Sequence, residues 1–168
     1  IEKKIGLTFK NKELLQQAFV HRSYLNENKS FHLEHNERLE FLGDACLELI
    51  VTDYLYSNFP NPEGELTNWR AALVRGAMIS QIAKKLGYED YLLLSRGEAK
   101  STGRARELIL ANTFEAVLGA VYLDRGYKSA DKLVKKFLIP RLPEILDKKL
   151  YNDAKSMFQE IVQEKTGI

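Results

Sequence analysis

The sequence predicts an all-α fold. Apolar residues recur at helical spacing along most of the 168 residues, and no segment alternates convincingly with period two. Hydrophobic residues make up 45% of the chain, enough to bury a core.

The elements follow in order. Asn11 is placed to cap a helix carrying Leu14, Leu15, Ala18 and Phe19 on one side. Residues 21–31 are polar and read as a loop or short turns. A long helix over 35–58 stops at Pro60-Asn61-Pro62. Another covers 65–86, with a bend at Gly76 and Gly87 as its C-terminal cap. Residues 95–106 hold Gly97, Lys100, Gly103, Arg104 and Arg106 and read as a mobile basic loop. A strongly apolar helix follows over 107–123, another over 129–138 before Pro140, and a short one after Pro143. Residues 1–147 are expected to form one domain and 148–152 a polar linker. Asp153 would cap a new helix whose apolar residues are Met157, Phe158, Ile161 and Val162. So short an amphipathic helix is unstable alone, so 153–168 reads as the start of a truncated second domain.

The 25 basic and 23 acidic residues give a formal net charge of +2, which neither demands nor forbids a nucleic-acid partner. Cys46 is the single cysteine, which excludes a disulfide framework and fits a reducing compartment. With three histidines beside it, the chain is poor material for a Cys/His zinc site but rich in the carboxylates that suit magnesium or manganese. The charged start (Ile1-Glu2-Lys3-Lys4) develops no signal-peptide core. The most apolar stretch, 108–123, is short for a span and carries Glu115, so no membrane association is expected and the reading is cytoplasmic.

Glu37, Glu40, Asp44 and Glu48 are spaced three, four and four, which puts them within roughly 80° on one helix face. Leu39, Leu42, Cys46, Leu49 and Ile50 are expected to face the core. Like charges at these spacings repel. One reading is a solvated acidic face. The other is a metal site beside a subunit interface, because no basic residue interleaves on the stripe and Phe41 projects next to the acids.

In the apolar stretch 108–123 only Asn112, Thr113 and Glu115 are polar. A helix apolar nearly all round is central in its domain, and a carboxylate there needs a partner. Arg38, Arg104 or Arg106 could supply it. Alternatively Asn112 and Glu115, three apart on one face, reach a cation shared with Glu40 and Asp44.

At these segments the chain resembles the ribonuclease III family. His35-Asn36-Glu37-Arg38-Leu39-Glu40-Phe41-Leu42-Gly43-Asp44-Ala45 is similar to its long signature, and Ile109-Leu110-Ala111-Asn112-Thr113-Phe114-Glu115-Ala116 to its second acidic motif. His21-Arg22-Ser23-Tyr24 and Glu63-Gly64-Glu65-Leu66 also match, in the right order. The resemblance covers about residues 3–150. The segment from Asp153 resembles the first helix of the double-stranded-RNA-binding domain that usually follows.

The resemblance implies a helical endonuclease domain working as a homodimer on double-stranded RNA, read by A-form shape rather than sequence. It implies a metal cluster of Glu40, Asp44, Asn112 and Glu115 holding Mg²⁺ (Mn²⁺ as substitute), with Asp44 and Glu115 the critical catalytic members. Phe41, with Glu37 nearby, would meet the partner subunit, and Glu65 is a supporting acid. Products would carry 5′-phosphate and 3′-hydroxyl ends with short 3′ overhangs. Lys100, Arg104 and Arg106 are candidate RNA contacts. One position departs from the pattern: the family usually has Asp where this chain has Asn112, which keeps a carbonyl ligand and loses a charge. That fits a tolerated natural variant, an engineered change, or a member that binds structured RNA without cutting. A helical interaction module whose acids meet a basic partner is the remaining alternative.

Overall fold

In the computed structural model, two long helices carry the molecule: α4 (Glu37–Asn58) and α7 (Gly103–Arg125). The structure describes residues 1–151, so the expected Asp153 helix and the domain it would open lie outside the described residues. The middle of α7, from Ile109 to Val121, is buried except at Asn112 and Glu115, as its composition dictates. Its ends are not: Leu108 and Leu123 are exposed.

α4 and α7 cross at two glycines. A Cβ on Gly43 would fall on the Glu115 carbonyl, 2.6 Å from its carbon and 3.0 Å from Gly119 N. A Cβ on Gly119 would overlap the Leu39 carbonyl oxygen and lie 3.1 Å from Gly43 N. The two backbones therefore touch, which only the absence of side chains permits.

The other helices pack around this crossing. α1 (Glu2–Ile5) was not anticipated from the sequence pattern. α2 (Lys12–Ala18) has Asn11 as its cap, accepting from Glu13 N at 3.0 Å. α3 (Arg22–Glu27) occupies the polar stretch read as loop or short turns. The single helix expected over 65–86 is two, α5 (Glu63–Leu73) and α6 (Gly76–Lys85). Arg75 is extended (φ −60, ψ 132), which breaks the hydrogen-bond ladder just before Gly76. The break turns Met78, Ile79 and Ile82 onto α7 while Trp69 and Leu73 stay with α4 and α9 (Leu142–Asp147). Gly87, at φ 68, caps the pair as expected. α8 (Tyr127–Phe137) lies against α7 and α4.

The basic loop needs correction. α7 begins at Gly103, so Arg104 and Arg106 belong to its first turns, and Glu98–Lys100 form a 3₁₀ turn. The Arg106 guanidinium donates to the carbonyls of Ala99 (2.8 Å), Ser101 (3.2 Å) and Glu98 (3.4 Å), tying the segment down. Among the described residues the extended pairing is confined to one bridge, Val20–Leu93. Buried Asn36 joins α2 to α4, donating from Nδ2 to Ala18 O (3.1 Å) and from its backbone N to Val20 O (2.9 Å).

Candidate active site

The acids come from both long helices. Glu40 and Asp44 lie one turn apart on α4, and Asn112 and Glu115 share a face of α7. The glycine contact sets the Glu115 backbone against Gly43, the neighbour of Asp44. The carboxylates therefore act on one another. Burial pushes the Glu115 carboxyl up to about 8, and Asp44, Glu40 and Glu48 add to the rise. Glu40 is also raised, by burial first and then by Glu37 and Asp44, while hydrogen bonding from Asn112 opposes it.

No arginine neutralises this centre. Arg38 and Arg104 are exposed, Arg106 is spent on backbone carbonyls, and no basic side chain contributes to the shift of Glu115. The ends of the stripe differ. Arg70 Nε lies 3.1 Å from Glu48 Oε2 while the same guanidinium donates to Thr52 Oγ1 at 3.1 Å. Glu37 faces Arg22 at 3.7 Å and His35 at 3.8 Å. Basic groups from α5 and from the start of α3 thus flank the stripe, and Glu40, Asp44 and Glu115 are left between them. Neither pairing was visible in the local spacing, because both cations come from other elements.

The donor set is three carboxylates and an amide oxygen, all hard ligands that fit a divalent cation of the magnesium type. Among the described residues no three His, Cys, Asp or Glu side chains stand close enough together to hold a metal ion by themselves. An open carboxylate surface of this kind suits an ion that keeps much of its own water. Glu65 stands apart. It is exposed in the first turn of α5, accepts from Asn61 Nδ2 at 2.8 Å, and is absent from the groups that shift Glu40 or Glu115.

Phe41 is 81% exposed beside the acids. Leu49, expected in the core, is 58% exposed, and Tyr56 is 81% exposed. With Ala45 these residues form one apolar line along α4, adjacent to the acid stripe. Leu49 was misread because an apolar side chain on a helix that is otherwise core-facing signals burial without saying whether this chain supplies the cover. Lys100 and Arg104 are exposed.

A ribonuclease-III-like family profile matches residues 11–142. Ribonuclease 3 from Treponema denticola is 47% identical over 98% of this chain and 67% of its own length. Ribonuclease 3 from Enterococcus faecalis is 44% identical over 100% of this chain and 73% of its own length. Among solved structures, a nuclease domain of ribonuclease III from Campylobacter jejuni, described for structural flexibility in the region involved in dimer formation, superposes with TM-score 0.76. It is 36% identical, covering 84% of this chain and 96% of that one. Dicer from Pichia stipitis superposes with TM-score 0.62 at 27% identity, covering 96% of this chain and 70% of that one. With a family profile over most of its length and relatives well above a third identical, the chain belongs to the ribonuclease III family.

Proposed function

We propose that the chain is an endoribonuclease that hydrolyses phosphodiester bonds of double-stranded RNA, working in the cytoplasm as a homodimer with Mg²⁺ or, in its place, Mn²⁺. The observation that carries this reading is a half-buried carboxylate, Glu115, crowded by Asp44 and Glu40 and given no basic partner among the described residues. Glu40, Asp44, Asn112 and Glu115 would hold the cation. When bound, a divalent ion lowers the pKa of water and offsets charge on the phosphate. Glu115, whose carboxyl burial pushes up to about 8, would have to be deprotonated to serve as a ligand. Of these four residues, Asp44 is the one exposed at the surface and would be the most open to solvent. Arg70 and Arg22, at the two ends of the stripe, restrain Glu48 and Glu37 so that the outer acids do not repel the backbone of an approaching duplex. Lys100 and Arg104 offer phosphate contacts, and Arg106 holds the turn on which Lys100 stands. The products are 5′-phosphate and 3′-hydroxyl ends with short 3′ overhangs.

The apolar line of Phe41, Ala45, Leu49 and Tyr56 supports self-association, since so exposed a stripe marks an interface. With two copies of α4 antiparallel about a two-fold axis, Phe41 of one would face the far end of the other. A groove of about 540 Å³ opens there, lined by Leu55, Tyr56, Phe59 and Leu66. Phe41→Ser is expected to shift the protein from dimer to monomer in sedimentation equilibrium. A variant that stays dimeric removes Phe41 from the interface.

Asn112 favours one second reading, a family member that binds structured RNA without cutting. Cleavage of a long RNA duplex across a Mg²⁺ titration separates the two. The chain is expected to cut, and Asn112→Asp, by restoring a charge, to lower the half-saturating Mg²⁺ roughly tenfold. Binding of duplex without cutting by either form selects the second reading.

A further inference from the structure

We propose that His21 and Ser23 moor the basic segment 95–100 to α3 and so set how firmly the duplex is gripped. The inference rests on the nuclease reading above, and both residues act as positioning residues.

In the motif His21-Arg22-Ser23-Tyr24, Arg22 faces Glu37 at the end of the acid stripe, while the polar atoms of His21 and Ser23 are engaged elsewhere. His21 precedes α3, and its Nδ1 accepts from Ser23 N at 3.3 Å and lies 2.8 Å from Ser23 Oγ. Ser23 Oγ in turn accepts from the backbone N–H of Ser95 at 3.1 Å. Because that oxygen is already an acceptor, its own proton is free to point at His21 Nδ1. Both contacts call for a lone pair on Nδ1, which the neutral tautomer with its proton on Nε2 supplies. The result is a relay from Ser95 N–H through the Ser23 hydroxyl to His21.

Ser95 is the root of the basic turn. Its Oγ accepts from Glu98 N at 3.1 Å and its carbonyl from Ala99 N at 2.9 Å, which builds the turn carrying Lys100. Arg96, next in the chain and exposed, has its N–H held by Glu27 Oε2 at 3.1 Å. The strand-like link of His21 N to Leu93 O at 3.1 Å aligns the two segments. Removing the Ser23 hydroxyl therefore takes one of the ties from the base on which Arg96 and Lys100 stand, beside those of Glu27 and Arg106, and leaves the acids on α4 and α7 untouched. The charged groups around His21 are Glu98 and Glu37, which favour its protonation, and Arg22 and His35, which oppose it. Burial is the largest influence and lowers the pKa of the ring.

The test uses the 168-residue chain with Ser23→Ala, Ser23→Thr and His21→Asn, the last keeping an acceptor at the helix start. Amide exchange at Ser95 and the separate kcat and KM for duplex RNA are measured. Ser23→Ala is expected to speed Ser95 exchange and raise KM about fivefold with kcat little changed, the loss of one hydrogen bond. Ser23→Thr, which keeps the hydroxyl, should restore both values, and His21→Asn should fall between. Unchanged Ser95 exchange overturns the mooring. Faster exchange with unchanged KM, or a fall in kcat alone, overturns its role in grip. A parent chain that neither binds nor cuts duplex RNA sinks the nuclease reading instead, and with it the grip, while Ser95 exchange still reports on the mooring.

Discussion

Glu115→Gln is expected to cut duplex RNA about a thousandfold more slowly and yet to melt at a higher temperature than the parent in metal-free buffer near pH 8. The two effects share one cause. In the folded protein the Glu115 carboxyl titrates at about 8, above the ordinary 4.5, chiefly through burial and then through Asp44, Glu40 and Glu48. A carboxyl raised on folding contributes stability that is fully present below its unfolded pKa and is lost as pH rises through the folded value. The parent therefore loses stability between about pH 4.5 and 8, as Glu115 is forced to ionise among other acids. Glutamine occupies the same volume and never ionises, so the difference in Tm between variant and parent should widen over that window. Mg²⁺ should raise the Tm of the parent and hardly move the variant, because ligands stabilise only the state that binds them. Loss of one ligand from the proposed metal cluster should cost about a thousandfold in rate. Melts at several pH values with chelator or Mg²⁺, beside a cleavage assay, test both halves. A variant that still cuts at the parental rate removes Glu115 from the machinery.

Gly119→Ala is expected to destabilise the fold more than any single-methyl addition elsewhere in α7. Its new Cβ would overlap the Leu39 carbonyl oxygen and approach Gly43 N, both backbone atoms that no rotamer change can move aside. The helices must separate, at a cost of about 3 kcal/mol by analogy with overpacked cores. For a chain of this size that lowers Tm by roughly 6–12 °C. Separation also carries Glu115 away from Asp44, so surviving folded protein should need more Mg²⁺ for half-maximal cutting. Gly64→Ala, at a glycine in α5 with nothing within 4 Å of the added Cβ, is the control and should leave Tm nearly unchanged. A Gly119→Ala protein with parental Tm would show that the crossing has slack.

How much of this was legible beforehand depends on how local each signal is. The acid stripe and the Asn112–Glu115 pair are read from spacing within one helix, because their chemistry depends on residues a turn apart. The exposed ring of Phe41 follows from the same geometry. What local spacing hides is set by other elements. Gly76 marked where the 65–86 helix gives way, but the size of the change, a full break at Arg75 into α5 and α6 rather than a bend, answers to where α7 and α9 lie. Arg106 reads as a loop cation, but its partners are backbone carbonyls, which carry no mark in the sequence. The exposure of Leu49 has the same origin: hydrophobicity announces a need for cover and leaves open who provides it.

The glycine crossing also limits how the protein can change. In an ordinary core, an oversized residue at one position is relieved by trimming its neighbour, and lineages drift through such paired exchanges. At positions 43 and 119 the neighbours are a carbonyl and an amide of the opposite helix, and a peptide bond cannot be trimmed. Compensation at the contact is closed off, so suppressors of a substitution there must arise at a distance, by re-seating a whole helix. At position 112, by contrast, an exchange between Asn and Asp changes only a side-chain tip, while the frame that presents it is fixed in the main chain.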